Sequence, residues 1–326
     1  MSSLVDLQSV FLPRRQTTNV LTHALDYLRL AWLSWQLLRA ERPVVLWLQL
    51  PPVPLLWVAL LHRRLRQPDM VLVADCHNAT FRPRWARVPF SLSLLNHCDR
   101  VLVHNEVVAV QAQALGVHQQ RLFVLEDVPM LDAPPQPPAA PPALLAGRPR
   151  PWVLFPGSFA ADEPVGALLA AARRLPEVSF VMTGRRETAA RHGHRLDDLP
   201  PNVLLPGYLD TADFDTLFRA SDVVLALTRE DGIQLSVCNE ALGFGKAMVL
   251  SDTPLLRRLF AAAAVMVDSN NPDALAAAIG EALARRSTLE AAALAAGHAR
   301  RQAWLARYAQ LQAELARPLN GKRATA

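Results

Sequence analysis

The amino-acid sequence predicts an α/β fold made of two domains, and three observations lead to this prediction. The chain has 326 residues, which is more than a single compact core usually holds. Short apolar runs of strand length alternate with segments of helical periodicity, as in the βαβ units of parallel sheets. From Asp132 to Pro151 prolines and alanines predominate, and such a segment predicts a semi-rigid spacer between two cores.

The part of the chain before this spacer alternates between helical and strand patterns. The predicted helices are Asn19–Arg39, Leu55–Leu65 and Glu106–Leu115. The predicted strands are Val44–Leu48, Met70–Ala74, Arg100–His104 and Phe123–Leu125.

One stretch, Val44–Leu61, is long and apolar enough for a membrane span. Three prolines near its middle argue against a continuous helix, because an interior proline removes a hydrogen bond and clashes with the preceding turn. These residues are Pro51, Pro52 and Pro54. The stretch is therefore predicted to be a strand, a proline loop and a helix. That helix carries Trp57 and ends among arginines, which also suits a peripheral contact with a membrane surface.

After the spacer the same alternation continues more regularly. The predicted strands are Trp152–Phe155, Ser179–Met182, Val203–Leu205, Val223–Leu227, Ala247–Leu250 and Ala264–Val267. The predicted helices are Asp162–Arg174, Asp213–Ala220, Leu235–Phe244, Pro254–Phe260, Pro272–Arg286 and Leu289–Ala316. Asp162 and Glu163, at the start of the first of these helices, are expected to complement its dipole.

The stretch Asp222–Asp252 contains a strand, a helix and a second strand, and it predicts a ligand site. Ligands of parallel sheets bind where strands end and helices begin, because free backbone N–H groups and the positive end of the helix dipole face that crevice. Glu240 lies in the second turn of the helix, on the face that carries Ser236, and helical side chains lean toward the amino end. The backbone amides could bind a phosphate, and the Glu240 carboxylate could accept a hydrogen bond from a sugar hydroxyl. Together these groups predict a nucleotide-binding pocket.

This stretch resembles the donor-binding motif of GT-B glycosyltransferases, especially family 4 and the related ALG-type mannosyltransferases. The matching residues are Gly232-Ile233-Gln234-Leu235-Ser236, Asn239-Glu240-Ala241, Gly243, Gly245 and Lys246. The second glutamate of the motif, which holds the donor ribose, matches Glu240. Gly232 stands at the position of the first glutamate. Either Glu230 and Asp231 just upstream take over its contact with the donor sugar, or that contact is absent.

A looser resemblance lies in the first half of the chain. Asp75-Cys76-His77-Asn78 is similar to the D-W-H-N stretch of the ALG-type enzymes, and Leu50-Pro51-Pro52-Val53-Pro54 is similar to their N-P-P-x-x-P. Asp75 and His77 are candidates for a general base that accepts the proton of the acceptor hydroxyl. In the alternative interpretation Asp75 caps the following segment and His77 is a packing residue. His104, after a later strand, is expected to be a structural histidine.

The resemblance implies a GT-B fold, with two Rossmann-like domains and a cleft between them. The implied boundaries are 1–131 for the acceptor-side domain, 132–150 for the linker, 151–288 for the nucleotide-sugar domain, and 289–326 for a helix and tail returning to the first domain. The glycine-rich loop with which GT-B chains begin is not evident, so the first strand is expected to be degenerate or missing.

The resemblance also implies that the second domain binds the donor. The residues expected to bind it are Gly157, Ser158, Thr183, Gly184, Arg185, Gly207, Tyr208, Glu230, Asp231, Gln234, Leu235, Ser236 and Glu240. Gly184 would let the backbone approach the ligand closely, and Arg185 would pair with the diphosphate unless it is an ordinary surface arginine.

A basic loop in the first half is the candidate for binding an acceptor or a lipid headgroup. It contains Arg82, Arg84, Trp85 and Arg87. One interpretation is capture of a lipid pyrophosphate at a membrane face, and the other is a solvated basic loop.

Composition limits the partners further. The sequence pI of about 9.6, the formal charge of +5 and the mean hydropathy of +0.13 favour anionic partners and a membrane surface. Nucleic acid ranks last, because the arginines are scattered and no nucleic-acid motif is present. Cys76, Cys98 and Cys238 lack metal-ligand spacing and fit a reducing cytosol. We therefore expect no metal and no cofactor, and a cytoplasmic protein peripheral to the inner membrane face.

The predicted function is transfer of a sugar from a nucleotide-sugar donor to a glycan acceptor, expected to be lipid-linked, in surface-glycan or exopolysaccharide synthesis. Two alternatives remain. The missing first glutamate would suit a nucleotide-sugar-binding pseudo-enzyme that needs a partner chain. The same fold would also suit an epimerase of the UDP-GlcNAc 2-epimerase type.

Overall fold

A computed structural model of the protein describes residues 8–13, 15, 19–129 and 143–323. These residues form two compact units. Unit 1 comprises Met1–Glu126 and Trp304–Ala326, and unit 2 comprises Asp127–Ala303. Most of the predicted linker, at positions 132–142, lies outside the described residues.

Unit 1 is built on a four-stranded parallel sheet in the order β1-β2-β3-β4. The strands are β1 (Val45–Leu50), β2 (Val71–Cys76), β3 (Arg100–Val103) and β4 (Leu122–Val124). Every residue of β2 is buried, because helices cover it and its run of apolar residues is almost unbroken. In the register of the sheet Asp75 lies between Gln49 of β1 and Leu102 of β3. The polar residues that end these strands therefore lie at one edge.

Five helices precede the last strand of this sheet. They are α1 (Val20–Glu41), α2 (Pro54–Arg66), α3 (Pro83–Ala86), α4 (Ser91–Leu95) and α5 (Glu106–Ala114). Asn19 and Asn105 cap α1 and α5, since each side-chain oxygen accepts a backbone N–H of the first turn. The short helices α3 and α4 were not predicted from the sequence.

The long apolar stretch around residues 44–61 is divided by its prolines, as predicted. Residues Val45–Leu50 form β1, and α2 begins at Pro54. Proline is favoured at the first helical position because its missing N–H has no partner there anyway. Within the described part of the chain, no helix is both long and apolar enough to span a bilayer.

Unit 2 contains a six-stranded parallel sheet in the order β10-β9-β8-β5-β6-β7. The strands are β5 (Trp152–Pro156), β6 (Ser179–Thr183), β7 (Val203–Gly207), β8 (Val223–Ala226), β9 (Ala247–Ser251) and β10 (Ala264–Val267). The chain adds β6 and β7 on one side of β5 and then places β8 on its other side. The strand order thus reverses between β5 and β8.

Helices cover both faces of this sheet and enclose one apolar cluster on each side. They are α6 (Val165–Arg174), α7 (Arg186–Arg191), α8 (Thr211–Ala220), α9 (Ser236–Gly243), α10 (Pro254–Phe260) and α11 (Pro272–Ala284). The final helix α12 (Arg286–Arg323) begins in unit 2, and its residues from Trp304 onward belong to unit 1. There Arg100 forms an ion pair with Glu314, and Arg307 lies over the Phe123 ring.

Unit 2 differs from the sequence prediction in several details, among them the short helix α7, which was not predicted. The helix expected to begin at Asp162 begins at Val165, and no side chain caps it. The end of the proline-rich spacer, expected to lie outside any core, contributes to one. Leu145 is buried and packs in the cluster that contains Trp152. Leu144 packs against the same cluster, so a pair of leucines anchors this segment, which composition alone does not reveal.

The loops after β5 and β6 approach each other backbone to backbone. Gly184 has a φ of +134°, and a Cβ atom there would lie 2.6 Å from the carbonyl oxygen of Gly157. A Cβ on Gly157 would likewise meet the Phe155 ring and the carbonyl oxygen of Thr183. Both glycines are thus required by packing at the end of the sheet where ligands are expected.

We expect Gly184→Ala to lower the free energy of unfolding by about 2 kcal/mol or more, because it adds both backbone strain and a clash with Gly157. Gly166→Ala in α6 is the matched control. No atom lies within 4 Å of a Cβ at that position, so this change should be neutral or stabilise by up to about 1 kcal/mol. Urea denaturation measures both variants. Equal midpoints for Gly184→Ala and the wild type would contradict this account of the loop.

Candidate functional site

The reversal of strand order in unit 2 brings the loops after β5 and β8 together. The Thr228 hydroxyl donates to the Asp162 carboxylate at 2.6 Å, and the Arg229 N–H donates to the Asp162 carbonyl at 2.8 Å. In open parallel sheets, ligands bind at such a reversal, beyond the carboxyl ends of the strands. The bonds through Asp162 therefore join the two loops on either side of the expected ligand position.

The loop after β8 is also fastened to the ends of the next strands. The Thr228 N–H donates to Ser251 Oγ at 2.8 Å, and the Ser251 and Ser269 hydroxyls are 2.7 Å apart. Arg229 Nε donates to the Asn270 side-chain oxygen at 2.8 Å. Thr228, Ser251 and Ser269 are buried, so these bonds are protected from exchange with water. The path of the loop toward α9 is fixed as a result.

In the loop after β5, an acidic side chain accepts hydrogen bonds from backbone N–H groups of the same loop. The Glu163 carboxylate accepts the N–H groups of Ser158 and Phe159 at 3.0 and 2.8 Å and the Ser158 hydroxyl at 2.6 Å. Burial raises the pKa of Glu163, although these hydrogen bonds oppose the increase. The expectation that Asp162 and Glu163 complement the dipole of α6 is therefore wrong. They serve the loop, and the Ser158 amide and hydroxyl already have a partner.

The backbone N–H groups at the amino end of α9 are not bound by a side chain in this way. Leu235 occupies the N-cap position, no side chain caps the helix, and its first turn contains no acidic residue. The first N–H groups of a helix have no partner within it, and the dipole places positive charge at that end. The sequence after β8 thus leaves an anion-binding end at the reversal of strand order, where Leu235 and Ser236 were predicted to meet the donor.

Glu240 lies one turn further along α9 and has an unusual environment. Its side chain is half-buried, and no hydrogen bond or ion pair joins it to another described residue. Burial, and then the charge of Asp215, raises its pKa. A carboxylate that is partly removed from water without a partner costs stability, so a ligand that donates hydrogen bonds would relieve an existing penalty.

Two neutral amides near this carboxylate are also unsatisfied. The side-chain oxygen and nitrogen atoms of Gln234 and of Asn239 are buried and lack hydrogen-bond partners among the described residues. Asn239 is only 4% exposed. Gln234 was among the residues predicted to bind the donor. Asn239 was quoted only as part of the motif, because its burial depends on packing that a single sequence does not show.

The remaining predicted donor residues follow β6 and β7. Gly184 donates its N–H to the Gly207 carbonyl at 3.0 Å, which joins the two loops. The Arg185 guanidinium lies 4.4 Å from the centre of the Tyr208 ring, and Tyr208 is 71% exposed. Thr183 is buried at the end of β6. The stacked pair therefore presents a cation and an aromatic face to solvent at the same edge of the sheet.

The two acidic residues offered as substitutes for the missing first glutamate are both exposed. The Asp231 carboxylate accepts the Gly232 N–H at 2.7 Å, and the Glu230 N–H donates to Thr228 Oγ at 3.1 Å. These bonds shape the turn that leads into α9. Neither carboxylate is desolvated, unlike that of Glu240.

A second cluster of polar side chains lies in unit 1, where β1, β2 and β3 end. Asp75 is buried, and its two oxygens accept hydrogen bonds from Trp47 Nε1 at 3.0 Å and His104 Nε2 at 2.9 Å. Burial alone would raise the pKa of Asp75, but the hydrogen bond and charge of His104, the bond from Trp47 and the charge of His77 outweigh it. The pKa is lowered as a result. Asp75 is therefore an ionised acceptor, so Nε2 of His104 carries the donated proton.

The second predicted catalytic residue, His77, belongs to the same cluster. Its ring stacks on that of His104 with centroids 4.6 Å apart, and its Nε2 lies 2.6 Å from Nε2 of Gln49. Because an amide nitrogen only donates, His77 accepts at this nitrogen. The structure thus brings Asp75 and His77 together and adds His104, which was expected to be a packing histidine. The position of His104 directly after β3 was the available signal, since parallel strands end at one edge.

The arginines of the basic loop of unit 1 are exposed. Arg82, Arg84 and Arg87 are exposed, Trp85 is half-buried, and the Arg84 guanidinium lies 5.6 Å from the Trp85 ring. Both proposed roles, headgroup binding and simple solvation, are compatible with that exposure. Among the residues that the structure describes, no group of three or more His, Cys, Asp or Glu side chains could hold a metal ion.

We expect Glu240→Gln to raise the free energy of unfolding of the ligand-free protein at neutral pH, because it removes a partly buried charge near Asp215. The folded state raises the pKa of this glutamate, so ionisation opposes folding above that pKa. The penalty vanishes when both states are protonated, below about pH 4.3. Thermal unfolding of the wild type and of Glu240→Gln should be measured from neutral pH down to about pH 4. The variant should have the higher Tm at neutral pH, and this difference should disappear in acid. Glu281→Gln, on the exposed face of α11, is the control and should show no such gain.

Comparisons with known proteins bear on the fold of the chain and on the domain in unit 2. Residues 150–285 match the family model described as glycosyl transferases group 1. The chain is similar to the solved structure of HepE from Anabaena in complex with UDP and glucose, with a TM-score of 0.70, 16% identity and coverage of 88% of this chain and 81% of that one. It is also similar to sucrose-phosphate synthase from Thermosynechococcus elongatus, with a TM-score of 0.68, 17% identity and coverage of 91% and 79%.

A trehalose-phosphate synthase (UDP-forming) from Burkholderia vietnamiensis is similar as well, with a TM-score of 0.62, 17% identity and coverage of 91% and 78%. Curated protein sequences give no match. At such identities the solved structures establish the fold, and the match over residues 150–285 identifies the domain within it. The chain thus has the GT-B fold, with two Rossmann-like units, and its residues 150–285 match the group 1 glycosyl transferases.

Proposed function

We propose that the protein transfers a sugar from a UDP-sugar to a lipid-linked glycan acceptor, without a metal ion. The observation that carries the donor part is the unpartnered, half-buried carboxylate of Glu240 beside the uncapped amino end of α9. The nucleotide base is proposed from HepE, whose solved structures include complexes with UDP and with UDP-glucose.

In this proposal the departing diphosphate lies over the amino end of α9. The free N–H groups and the dipole of the helix stabilise the negative charge that develops there, as preorganised donors do in other transferases. Glu240 accepts hydrogen bonds from the ribose hydroxyls. Arg185, held against Tyr208, contributes the positive side chain of the pocket. The amides of Ser158 and Phe159 are engaged by Glu163 and contribute less.

The polar cluster of unit 1 supplies the general base. His77 is half-buried, its Nε2 contacts the exposed Gln49, and it is the residue proposed to meet the acceptor hydroxyl. The ionised Asp75 carboxylate favours a proton on the neighbouring imidazoles, and His104 holds that carboxylate in place. The acceptor hydroxyl would replace the Gln49 amide at Nε2 of His77, and transfer of its proton to that nitrogen would assist a single displacement at the donor sugar.

The acceptor and the location follow from the surface of unit 1. Exposed Arg82, Arg84 and Arg87 around Trp85 suit a lipid pyrophosphate at the inner face of the membrane, in a surface-glycan or exopolysaccharide pathway. With radiolabelled donor, the proposal expects label in a butanol-extractable product. Label only in water-soluble products would overturn the acceptor class.

Donor binding is tested by thermal shift with UDP. A ligand at about 100 times its Kd stabilises the folded state by about 2.7 kcal/mol, so UDP should raise the Tm of the wild type. Glu240→Gln should lose most of this increase although the free variant unfolds at a higher temperature, while Glu281→Gln should keep it. An unchanged UDP shift in Glu240→Gln would refute the ribose contact.

The general base is tested by Asp75→Asn and His77→Gln, which should lower kcat roughly a hundredfold or more. The UDP-induced Tm shift should persist, because these residues lie in unit 1. In Asp75→Asn the acid limb of the pH profile of kcat/KM should move to lower pH, since loss of the negative charge makes the imidazole less basic. His118→Gln, an exposed histidine of the same unit, is the control. Full activity of His77→Gln would exclude it as the base, and donor binding without turnover in the wild type would favour the pseudo-enzyme.

A further inference from the structure

Helix α1 presents a line of apolar side chains to solvent. Leu21, Leu25, Leu28 and Trp32 follow each other along one line of the helix and are 70%, 57%, 68% and 59% exposed. The buried residues of the same helix are Asp26, Ser34 and Leu38. A surface helix normally keeps polar residues on its solvent side, whereas α1 has apolar residues there as well as on the side of the half-buried Leu33 and Leu37. The line is long and continuous, so it differs from the single exposed leucines that folded proteins tolerate.

The neighbouring helix α2 carries a second exposed apolar line. Trp57, Leu61 and Leu65 are spaced four residues apart and are 40%, 51% and 60% exposed. The two helices pack side by side, and the Trp35 ring of α1 meets the His62 ring of α2 edge-on at 5.2 Å. We call these seven exposed side chains of α1 and α2 the α1–α2 face.

Arginines gather at one end of this face. The Gln67 side chain donates to the carbonyls of Arg42 and Pro43, so the carboxyl ends of α1 and α2 lie together. Arg39, Arg42, Arg64 and Arg66 at these ends are exposed. Basic residues at a helix end also complement its dipole, but that effect does not account for the apolar lines beside them.

The charge of the chain is divided unequally between the two units. Unit 1 contains 17 Arg and Lys and 9 Asp and Glu, a formal charge of +8. Unit 2 contains 17 Arg and Lys and 20 Asp and Glu, a formal charge of −3. The net charge of +5 thus arises entirely from the unit that carries the α1–α2 face.

We propose that the α1–α2 face docks on an anionic lipid surface. Its leucines and tryptophans enter the boundary between headgroups and acyl chains, while the arginines at the helix ends contact the headgroups. A second copy of the chain is a poorer occupant, because it would bring one +8 unit against another. The proposal extends the membrane location given above, but it does not depend on sugar transfer, since lipid binding is measured without a donor.

Co-sedimentation of the full chain with phosphatidylcholine vesicles, with and without phosphatidylglycerol, tests the proposal. The wild type should sediment with the anionic vesicles, and high salt should weaken this binding. Leu28→Ser combined with Trp32→Ser should weaken it on the order of tenfold or more, since two apolar side chains no longer enter the lipid. The matched control is Val107→Ser with Val110→Ser, which removes two exposed apolar side chains from α5 in the same unit. It should bind like the wild type.

Three results would overturn the proposal. The wild type could stay in the supernatant with anionic vesicles, or the α1 double variant could sediment as well as the wild type. Light scattering could also show a wild-type dimer that the α1 variant dissociates, with no vesicle binding, which would assign the face to a second copy. Circular dichroism of each variant separates loss of docking from loss of folding. UDP binding measured on the same samples reports separately on the donor site.

Discussion

The hydrogen bond from Thr228 to Asp162 crosses the point at which the strand order of unit 2 reverses, and the geometry of the proposed donor site depends on it. Loops that leave neighbouring parallel strands in different directions are no longer held together by the backbone hydrogen bonds of the sheet. Here the Thr228 backbone also binds Ser251, which binds Ser269, so the ends of β8, β9 and β10 share one buried network. Because α9 follows directly from this loop, its amino end is fixed in position before any ligand arrives.

The same region leaves several polar groups without partners, and these have an energetic cost. Glu240 has a charge that burial disfavours, and the amides of Gln234 and Asn239 are buried and unsatisfied. Another buried carboxylate of unit 2 does have hydrogen-bond partners. Asp222, for example, is buried but accepts hydrogen bonds from Arg150, Arg286 and the Trp152 N–H. Unsatisfied groups within a few residues of the amino end of α9 are therefore informative, since each such group in a folded protein calls for an explanation and a ligand at that end would supply one.

The sequence predicted most strands and helices because their signals are local. For example, the apolar run Val223–Leu227 by itself predicts a strand, and the prolines after Leu50 by themselves predict where the first strand ends. The role of Glu163 was missed because an acidic residue before a helix is usually a cap, whereas its actual partners, the amides of Ser158 and Phe159, depend on how the loop folds back. His104 was taken for a packing residue because its contact with Asp75 depends on the register of β2 and β3. The exposed line of α1 likewise depends on which face packs against α2.

The division of charge between the units limits how the donor can be bound. A nucleoside diphosphate is anionic, yet it is proposed to bind to the unit with a formal charge of −3. Net charge therefore cannot attract it, and the attraction must come from groups close to the phosphates. Backbone amides and a helix dipole meet this requirement, because they add local positive potential without adding net charge. Arg185 adds one cation, held by Tyr208. The excess positive charge of unit 1 is not needed for that site, and a lipid surface is the anionic partner proposed for its exposed apolar helices.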